Sequence, residues 1–335
     1  MSALVLVRTG PGVTIQDGGR HGWARWGVTA AGPMDALAHQ TAHLAVGNSR
    51  QAAGFEVSLG GLELAVEGGP LDVAVVAPGF SVRLDARELP DRVRLCLSPG
   101  ERLTVRAGAS GTWGYVAPAG RMALPPVLGS LATHVRSGLG GLEGRALADG
   151  DRVGLVETRA GLGGPERLVA PWLERRAGPI RVLLGPQEDH FTEAQVADFL
   201  ARAWEISPRS DRMATALSGE ALVPAFGHDI VSDAVAAGAI QVPGSGQPFV
   251  LMADRQPTGG YPKIATVIRA DLGRLAQMRA GERVRFSVVT VAEAVAAWRA
   301  IVDAMAAGVA GEAVIRRDFS AEFLLSTNLI SRWGW

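Results

Sequence analysis

Hydrophobic and polar residues alternate along this chain in short bursts. Leu4–Val7, Phe55–Leu59, Leu62–Val66, Val73–Ala77, Arg92–Leu97, Leu103–Arg106 and Trp113–Ala117 form a first series. Ile180–Leu184, Ala239–Val242, Phe249–Ala253, Ile264–Ile268 and Arg283–Val289 form a second. Gly, Pro, Asp or Ser punctuates both. An apolar residue at every second position gives a strand one face for a core and one for water. Closely spaced short strands with few helices between them predict an all-β fold, mainly β with a few helices. Such a pattern points to barrels or sandwiches rather than a doubly wound parallel sheet.

The period changes to that of a helix in three places, each with a start signal. Asp35 predicts a cap for a helix running to about Val46, stopped by Gly47-Asn48. Thr192-Glu193-Ala194-Gln195 and Thr290-Val291-Ala292-Glu293 read as capping boxes. The second of these opens a helix with Val295, Trp298, Ile301 and Met305 on one face. The glycine- and proline-rich stretch near 158–178 separates two units. The pattern therefore predicts a first strand-rich unit over 1–160, a second over 179–290, and a helix with an apolar tail over 291–335. The tail carries Phe319, Phe323, Leu324, Leu325, Trp333 and Trp335, a composition expected to dock on a body or a partner.

Composition narrows the chemistry. The 335 residues hold 33 basic and 33 acidic side chains, a balance that argues against nucleic acid as a partner. All but one of the basic residues are arginine, and the single lysine is Lys263. Lys263 lies between Pro262 and Ile264, so the chain has no Gly-Lys-Ser/Thr phosphate loop and no biotin-carrier lysine. The single Cys96 excludes an intrachain disulfide and a Cys-rich zinc site, and its alternating context predicts a small core residue. No run approaches the roughly 20 apolar residues of a membrane span. With no basic leader before Leu4, the sequence reads as cytoplasmic and independent of membranes.

Several motifs bear on function. His39 and His43 stand one helical turn apart, but they lack the glutamate and third ligand of a zinc site, so an ordinary helix face is expected and no metal. Glu188-Asp189-His190 fits either an acid/base or metal cluster, or a loop that satisfies backbone donors ahead of Thr192. Gly138–Gly144 resembles a phosphate-binding glycine loop, with Glu143 in place of the third glycine and no helix after it. The densest polar stretch is Asp254-Arg255-Gln256-Pro257-Thr258-Gly259-Gly260-Tyr261-Pro262-Lys263, between two strands. It combines both charge signs, an amide and one of the two tyrosines. The paired glycines allow a close approach of backbone to ligand. Arg255 and Lys263 are suited to a carboxylate or phosphate, with Asp254 to orient one of them. Ser210-Asp211-Arg212-Met213 is a second charged turn that would face the same place.

Taken together, these stretches resemble the biotin-dependent carboxyltransferase family, also called the allophanate-hydrolase subunit 2 family. The resemblance rests on Thr14-Ile15-Gln16-Asp17-Gly18-Gly19-Arg20 with Gly22-Trp23 and Gly27-Val28, and on Gly32-Pro33-Met34-Asp35. It continues through Pro125–Ser130, Gly140–Leu147, Gly185-Pro186-Gln187-Glu188-Asp189-His190-Phe191, Ser210–Met213 and Ala239–Pro243. It ends in the highly specific block Ala253–Ile268, and it covers roughly residues 4 to 290. Thr29-Ala30-Ala31-Gly32, Leu131–His134 and Ala214-Thr215 depart from the family's usual pattern, which makes the second barrel the firmer place for a site.

The resemblance implies two cyclophilin-like β-barrel domains. It also implies a component of an ATP-dependent 5-oxoprolinase-type hydrolase, working with a B-type subunit (the other carboxyltransferase half) and an A-type subunit. ATP would be used by the complex, with no cofactor bound by this chain. On that reading Lys263, Tyr261, Arg255 and Asp254 are the catalytic candidates. Gly259, Gly260, Thr258, Asp211, Arg212, Gln187, Asp189 and His190 are the substrate-binding candidates, with Asp254 and Asp211 positioning the cations. The amidase signature of a true allophanate hydrolase is missing. Two other readings are carboxyl transfer from carboxybiotin to a urea-like acceptor, and a non-catalytic kinase regulator that binds through the tail.

Overall fold

The computed structural model describes residues 2–174 and 177–314; the apolar tail singled out above lies outside the described residues. Strands dominate. In the first half they make two seven-stranded sheets. One places Ser2–Thr9 between Leu62–Glu67 and Arg152–Val156, all antiparallel. The other runs Thr14–Gln16, Gly54–Val57, Gly114–Pro118, Leu71–Val76, Arg92–Leu97, Glu166–Val169 and Ala310–Ala313 in spatial order. Alternation sorts the side chains as expected, so Leu4, Leu6, Leu62, Leu64, Val73, Val75, Val93 and Leu95 fill the space between the sheets with little or no exposure. Cys96 departs from the expectation. It lies on the half-buried outer face of its strand, in step with Arg92 and Arg94, and burial together with nearby Asp72 pushes its thiol up.

The second half is one eight-stranded sheet, in the order Arg283–Val284, Trp204–Ile206, Ala214–Ser218, Phe249–Leu251, Ala239–Gln241, Lys263–Val267, Ile180–Leu184, Phe286–Val288. Its two edge strands are separated in sequence by Arg285 alone. A sheet whose opposite edges meet at one residue has to curl round on itself, and the result is a nearly closed barrel. The single strand expected over Arg283–Val289 is thus two short ones, because the chain leaves one edge and joins the other at that residue.

All three expected helices form. Asp35 accepts the Ala38 N–H at 3.3 Å and caps Ala36–Ala45. The boxes at Thr192 and Thr290 cap Glu193–Ala201 and Val291–Ala306. A fourth helix, Leu272–Ala276, is only five residues long and shows too little periodicity to be read from sequence. The first unit does not stop near 160. Glu166–Val169 extends its sheet, and Ala310–Ala313 returns from beyond the last helix to pair with that strand.

The barrels share a core. Leu37, Ala38 and Ala42 on the Ala36–Ala45 helix belong to the same buried cluster as Trp204, Ile240, Ile264 and Phe286 of the second barrel. Polar groups cross the boundary too. The buried Gln277 amide donates to Asp35 Oδ2 at 3.0 Å and to the Trp113 carbonyl at 2.8 Å, while its oxygen accepts the N–H groups of Thr112 and Trp113.

Candidate functional site

The Thr14–Arg20 motif is structural glue within the first barrel. The Gln16 side chain donates to the Thr133 carbonyl at 3.0 Å and accepts from Gly32 N–H at 3.1 Å. Asp17 accepts from the Ser130 hydroxyl and the Leu131 N–H, both at 2.6 Å. The buried Arg20 guanidinium donates to the carbonyls of Val127 and Ala132, each at 2.9 Å. Gly32 has φ of +89°, a left-handed conformation that glycine adopts at no steric cost. Its carbonyl accepts from Arg212 of the second barrel at 2.7 Å.

The polar block of the second barrel is not a simple hairpin loop. The strands on either side of it, Phe249–Leu251 and Lys263–Val267, both pair with Ala239–Gln241 and not with each other. Between them Thr258–Gly259 pairs with Asp233–Ala234, which sets Asp233 opposite Gly259. That register brings Asp233 to Lys263, whose ammonium lies 3.1 Å from Asp233 Oδ2. The lysine is 3% exposed and the Asp233 side chain 53%, so the pair runs from the barrel interior to its rim. The hydrogen bond from Lys263 holds the Asp233 carboxyl below the usual carboxylate range. The Lys263 N–H donates to Gln187 Oε1 at 3.3 Å.

Tyr261, 37% exposed, stands edge-on to Phe249 with ring centroids 6.4 Å apart. A Cβ at Gly259 would lie 2.6 Å from Gln241 Nε2, so a larger residue there would displace that amide. Gln241 donates to the Tyr261 carbonyl at 3.2 Å, and its own buried oxygen has no hydrogen-bond partner. Beside this rim the 219–232 loop exposes Phe226 (72%) and Val231 (91%), and it is tied to the block by Ile230 N–H on the Gly260 carbonyl at 2.8 Å.

The other candidates are placed elsewhere. Asp254 pairs with Arg212, at 2.9 and 2.8 Å, and with neither Arg255 nor Lys263. Asp211 accepts the N–H groups of Met213 and Ala214 and so closes its own turn. Arg212 also forms an ion pair with Glu56 of the first barrel. Burial opposes charge on Arg212, but Glu56 and Asp254 outweigh it and hold the guanidinium above its usual range. Burial likewise pushes the Glu56 carboxyl up, against the pull of Arg212. Because Glu56 accepts from Arg212, from Met34 N–H and from the Tyr115 hydroxyl, the arrangement is that of a carboxylate and the pair is ionised. Thr258 and Asp189 are exposed and Gly260 half-buried. His190 ends the short 3₁₀ turn Glu188–His190, where its carbonyl accepts from Ala225 N–H and its Nδ1 has no partner.

Arg255 faces a different place, a cavity of about 400 Å³ between the barrels. Its guanidinium donates to the carbonyls of Val235 and Met252, both at 3.2 Å, and no carboxylate pairs with it among the described residues. Burial lowers its pKa. His39 lines the same cavity. His39 and His43 pack as a tilted ring pair with centroids 4.6 Å apart, and no group of three or more His, Cys, Asp or Glu side chains among the described residues is placed to hold a metal. Gly138–Gly144 closes on itself through Gly144 N–H and the Gly140 carbonyl at 2.8 Å. Sequence reasoning missed Asp233, Glu56 and Gln277, which carry no motif and gain their partners only through long-range register.

Comparison with known proteins agrees with this architecture. Residues 26–288 match the family model described as "Carboxyltransferase domain, subdomain A and B". The C-type subunit of the Escherichia coli 5-oxoprolinase is 37% identical over 88% of this chain and 94% of its own length. The protein of the same name from Haemophilus influenzae is 35% identical over 84% of this chain and 89% of its own. The urea carboxylase of Kluyveromyces lactis superposes with a TM-score of 0.78 at 25% identity, over 90% of this chain and 29% of that one. No helix among the described residues is long and apolar enough to cross a membrane.

Proposed function

Because the chain belongs to the family of carboxyltransferase domains, subdomains A and B, we propose that it is the C-type subunit of an ATP-dependent 5-oxoprolinase and acts with B- and A-type subunits on a lactam. The observation that carries this reading is the identity to two C-type 5-oxoprolinase subunits along nearly their whole length. The rim chemistry supports it. Opening a lactam places negative charge on the carbonyl oxygen, and a buried ammonium fixed in place by Asp233 is suited to receive it. Tyr261 stands at the mouth of the same rim, where its hydroxyl can deliver a proton to the departing nitrogen. Gln187 fixes the backbone at Lys263. The phosphoryl chemistry belongs to the partners, since this sequence has no phosphate loop. The exposed apolar loop with Phe226 and Val231, beside the rim, is suited to docking a B-type subunit.

Reconstitution with both partner subunits tests the reading. The expected result is 5-oxo-L-proline-dependent ATP hydrolysis that falls at least about 100-fold in Lys263→Ala. Unchanged turnover in that variant would sink it. The family match and the fold of the urea carboxylase favour one second reading, carboxyl transfer from carboxybiotin to a urea-like acceptor. Carboxybiotin-dependent turnover by the same complex, with no response to 5-oxo-L-proline, distinguishes it. The kinase-regulator reading relies on a tail outside the described residues.

A further inference from the structure

The cavity between the barrels has a chemistry of its own. One wall comes from the first barrel, with Met34, Leu37 and His39, and the other from the second, with Met252, Arg255 and Trp298. Its volume, about 400 Å³, falls within the usual range for small-molecule pockets, roughly 300–1,000 Å³. Two polar groups in this lining are incompletely used. Arg255 is largely desolvated, yet its two bonds go to carbonyl oxygens and none to a carboxylate among the described residues. A desolvated guanidinium left without an anion is costly, and one whose planar fork retains free donors accepts a carboxylate readily.

His39 is the second. It is 1% exposed, and its Nε2 lies 3.1 Å from the Gln16 carbonyl oxygen. A carbonyl can only accept, so Nε2 carries the hydrogen and Nδ1 keeps a lone pair. That Nδ1 is buried and has no hydrogen-bond partner. The pocket thus offers the Arg255 cation, one acceptor and apolar walls, and its second lining guanidinium, that of Arg269, is stacked 4.2 Å above the Trp298 ring.

We propose that this inter-barrel cavity binds a small organic carboxylate that also bears an N–H or O–H donor, the carboxylate on Arg255 and the donor on Nδ1 of His39. His39 is then a positioning and specificity-determining residue, selecting ligands by a donor that a plain carboxylate lacks. Both barrels contribute one anchor, so occupancy fastens them together. The pocket's own chemistry carries this inference. Only the choice of probe rests on the 5-oxoprolinase reading.

Calorimetric titration of the full chain with 5-oxo-L-proline, which has both a carboxylate and a ring N–H, tests it. Saturable binding is expected. Arg255→Gln should weaken it at least about 10-fold, and so should replacing the probe by 2-pyrrolidinone, which lacks the carboxylate. N-methyl-5-oxo-L-proline, which lacks the N–H, should bind at least about 5-fold more weakly to the unaltered chain, and should lose little further in His39→Gln. The ligand-side changes keep the test valid if His39→Gln fails to fold. Three results would each overturn the proposal: absence of saturable 5-oxo-L-proline binding, equal binding of all three compounds, or loss of binding in Lys263→Ala with Arg255→Gln unaffected. The last outcome would place the ligand on the Lys263 rim. Failure here with Lys263-dependent turnover intact in the reconstituted complex would leave the functional reading standing.

Discussion

Glu56 of the first barrel and Arg212 of the second form an ion pair in which the Glu56 side chain is completely buried, and the same guanidinium grips Asp254 at 2.8 Å. Asp254 opens the polar block that ends at Lys263, so the rim of the second barrel is pinned to the body of the first. Removing one partner of such a pair strands a buried charge. Arg212→Met should lower unfolding free energy by about 3–5 kcal/mol in urea titrations, and the Glu56→Leu/Arg212→Met double variant should recover part of that loss. Equal and additive losses would show that the pair does not couple the barrels.

Gln277 poses a sharper stability test. One buried amide serves Asp35, Trp113 and Thr112 across the same boundary. Truncation leaves several buried backbone groups unpaired at a cost of about 1–3 kcal/mol each. Gln277→Ala is expected to lose at least about 3 kcal/mol by chemical denaturation. A loss below about 1 kcal/mol would mean that water replaces the amide. Gln277→Glu should fare worse still, since it sets a second carboxylate beside Asp35.

Stability should also fall on acidification because of His39. Burial lowers its pKa from 6.5 to about 4. A base with a lowered pKa binds fewer protons when folded than when unfolded. Its contribution is therefore fully present above about pH 6.5 and is lost as pH falls toward about 4. The shift corresponds to on the order of 3 kcal/mol. His43, also lowered by burial, adds to the same slope. Denaturation midpoints measured between pH 7 and pH 4 should drop steeply in the unaltered chain and less so in His39→Gln; parallel curves would refute the assignment.

At the rim, Lys263→Arg should fold but work poorly. The lysine occupies a 3%-exposed slot beside Gln187 and Asp233, and a planar guanidinium cannot place a compact charge at that depth. Turnover of the reconstituted complex should fall at least about 10-fold, with the melting temperature within a few degrees. Full activity would show that any cation suffices.

Phe226 and Val231 give a test that leaves the body of the protein alone. Both are exposed, so Phe226→Asp/Val231→Asp should change stability by less than about 0.5 kcal/mol. Co-purification with the B-type subunit should nevertheless be lost. Retained binding would move the interface elsewhere.

Local signals made much of the fold legible in the sequence. Asp35, Thr192 and Thr290 each cap a helix through a side chain three residues from its target, and alternation assigned Leu4, Val73 and Val93 to the interior. What was hidden depends on register. Lys263 stood out as the lone lysine, but its partner Asp233 lies 30 residues away in a two-residue strand with no periodicity. Asp254 adjoins Arg255 in sequence yet pairs with Arg212, because the chain turns the two neighbours toward different surroundings. Glu56 sits in a strand buried at every position, where a sequence pattern predicts only apolar residues. Its partner is 156 residues further along the chain.

The isolation of Lys263 among arginines also makes the rim addressable. Reductive methylation with isotope-labelled formaldehyde converts lysine side chains and leaves guanidinium groups unmarked. In these 335 residues that chemistry has one side-chain target, already engaged with Asp233 and almost wholly sheltered. Apart from the signal of the N-terminal amine, one methyl resonance would then follow the ammonium as the rim opens, closes or takes on a partner, with no other lysine to assign.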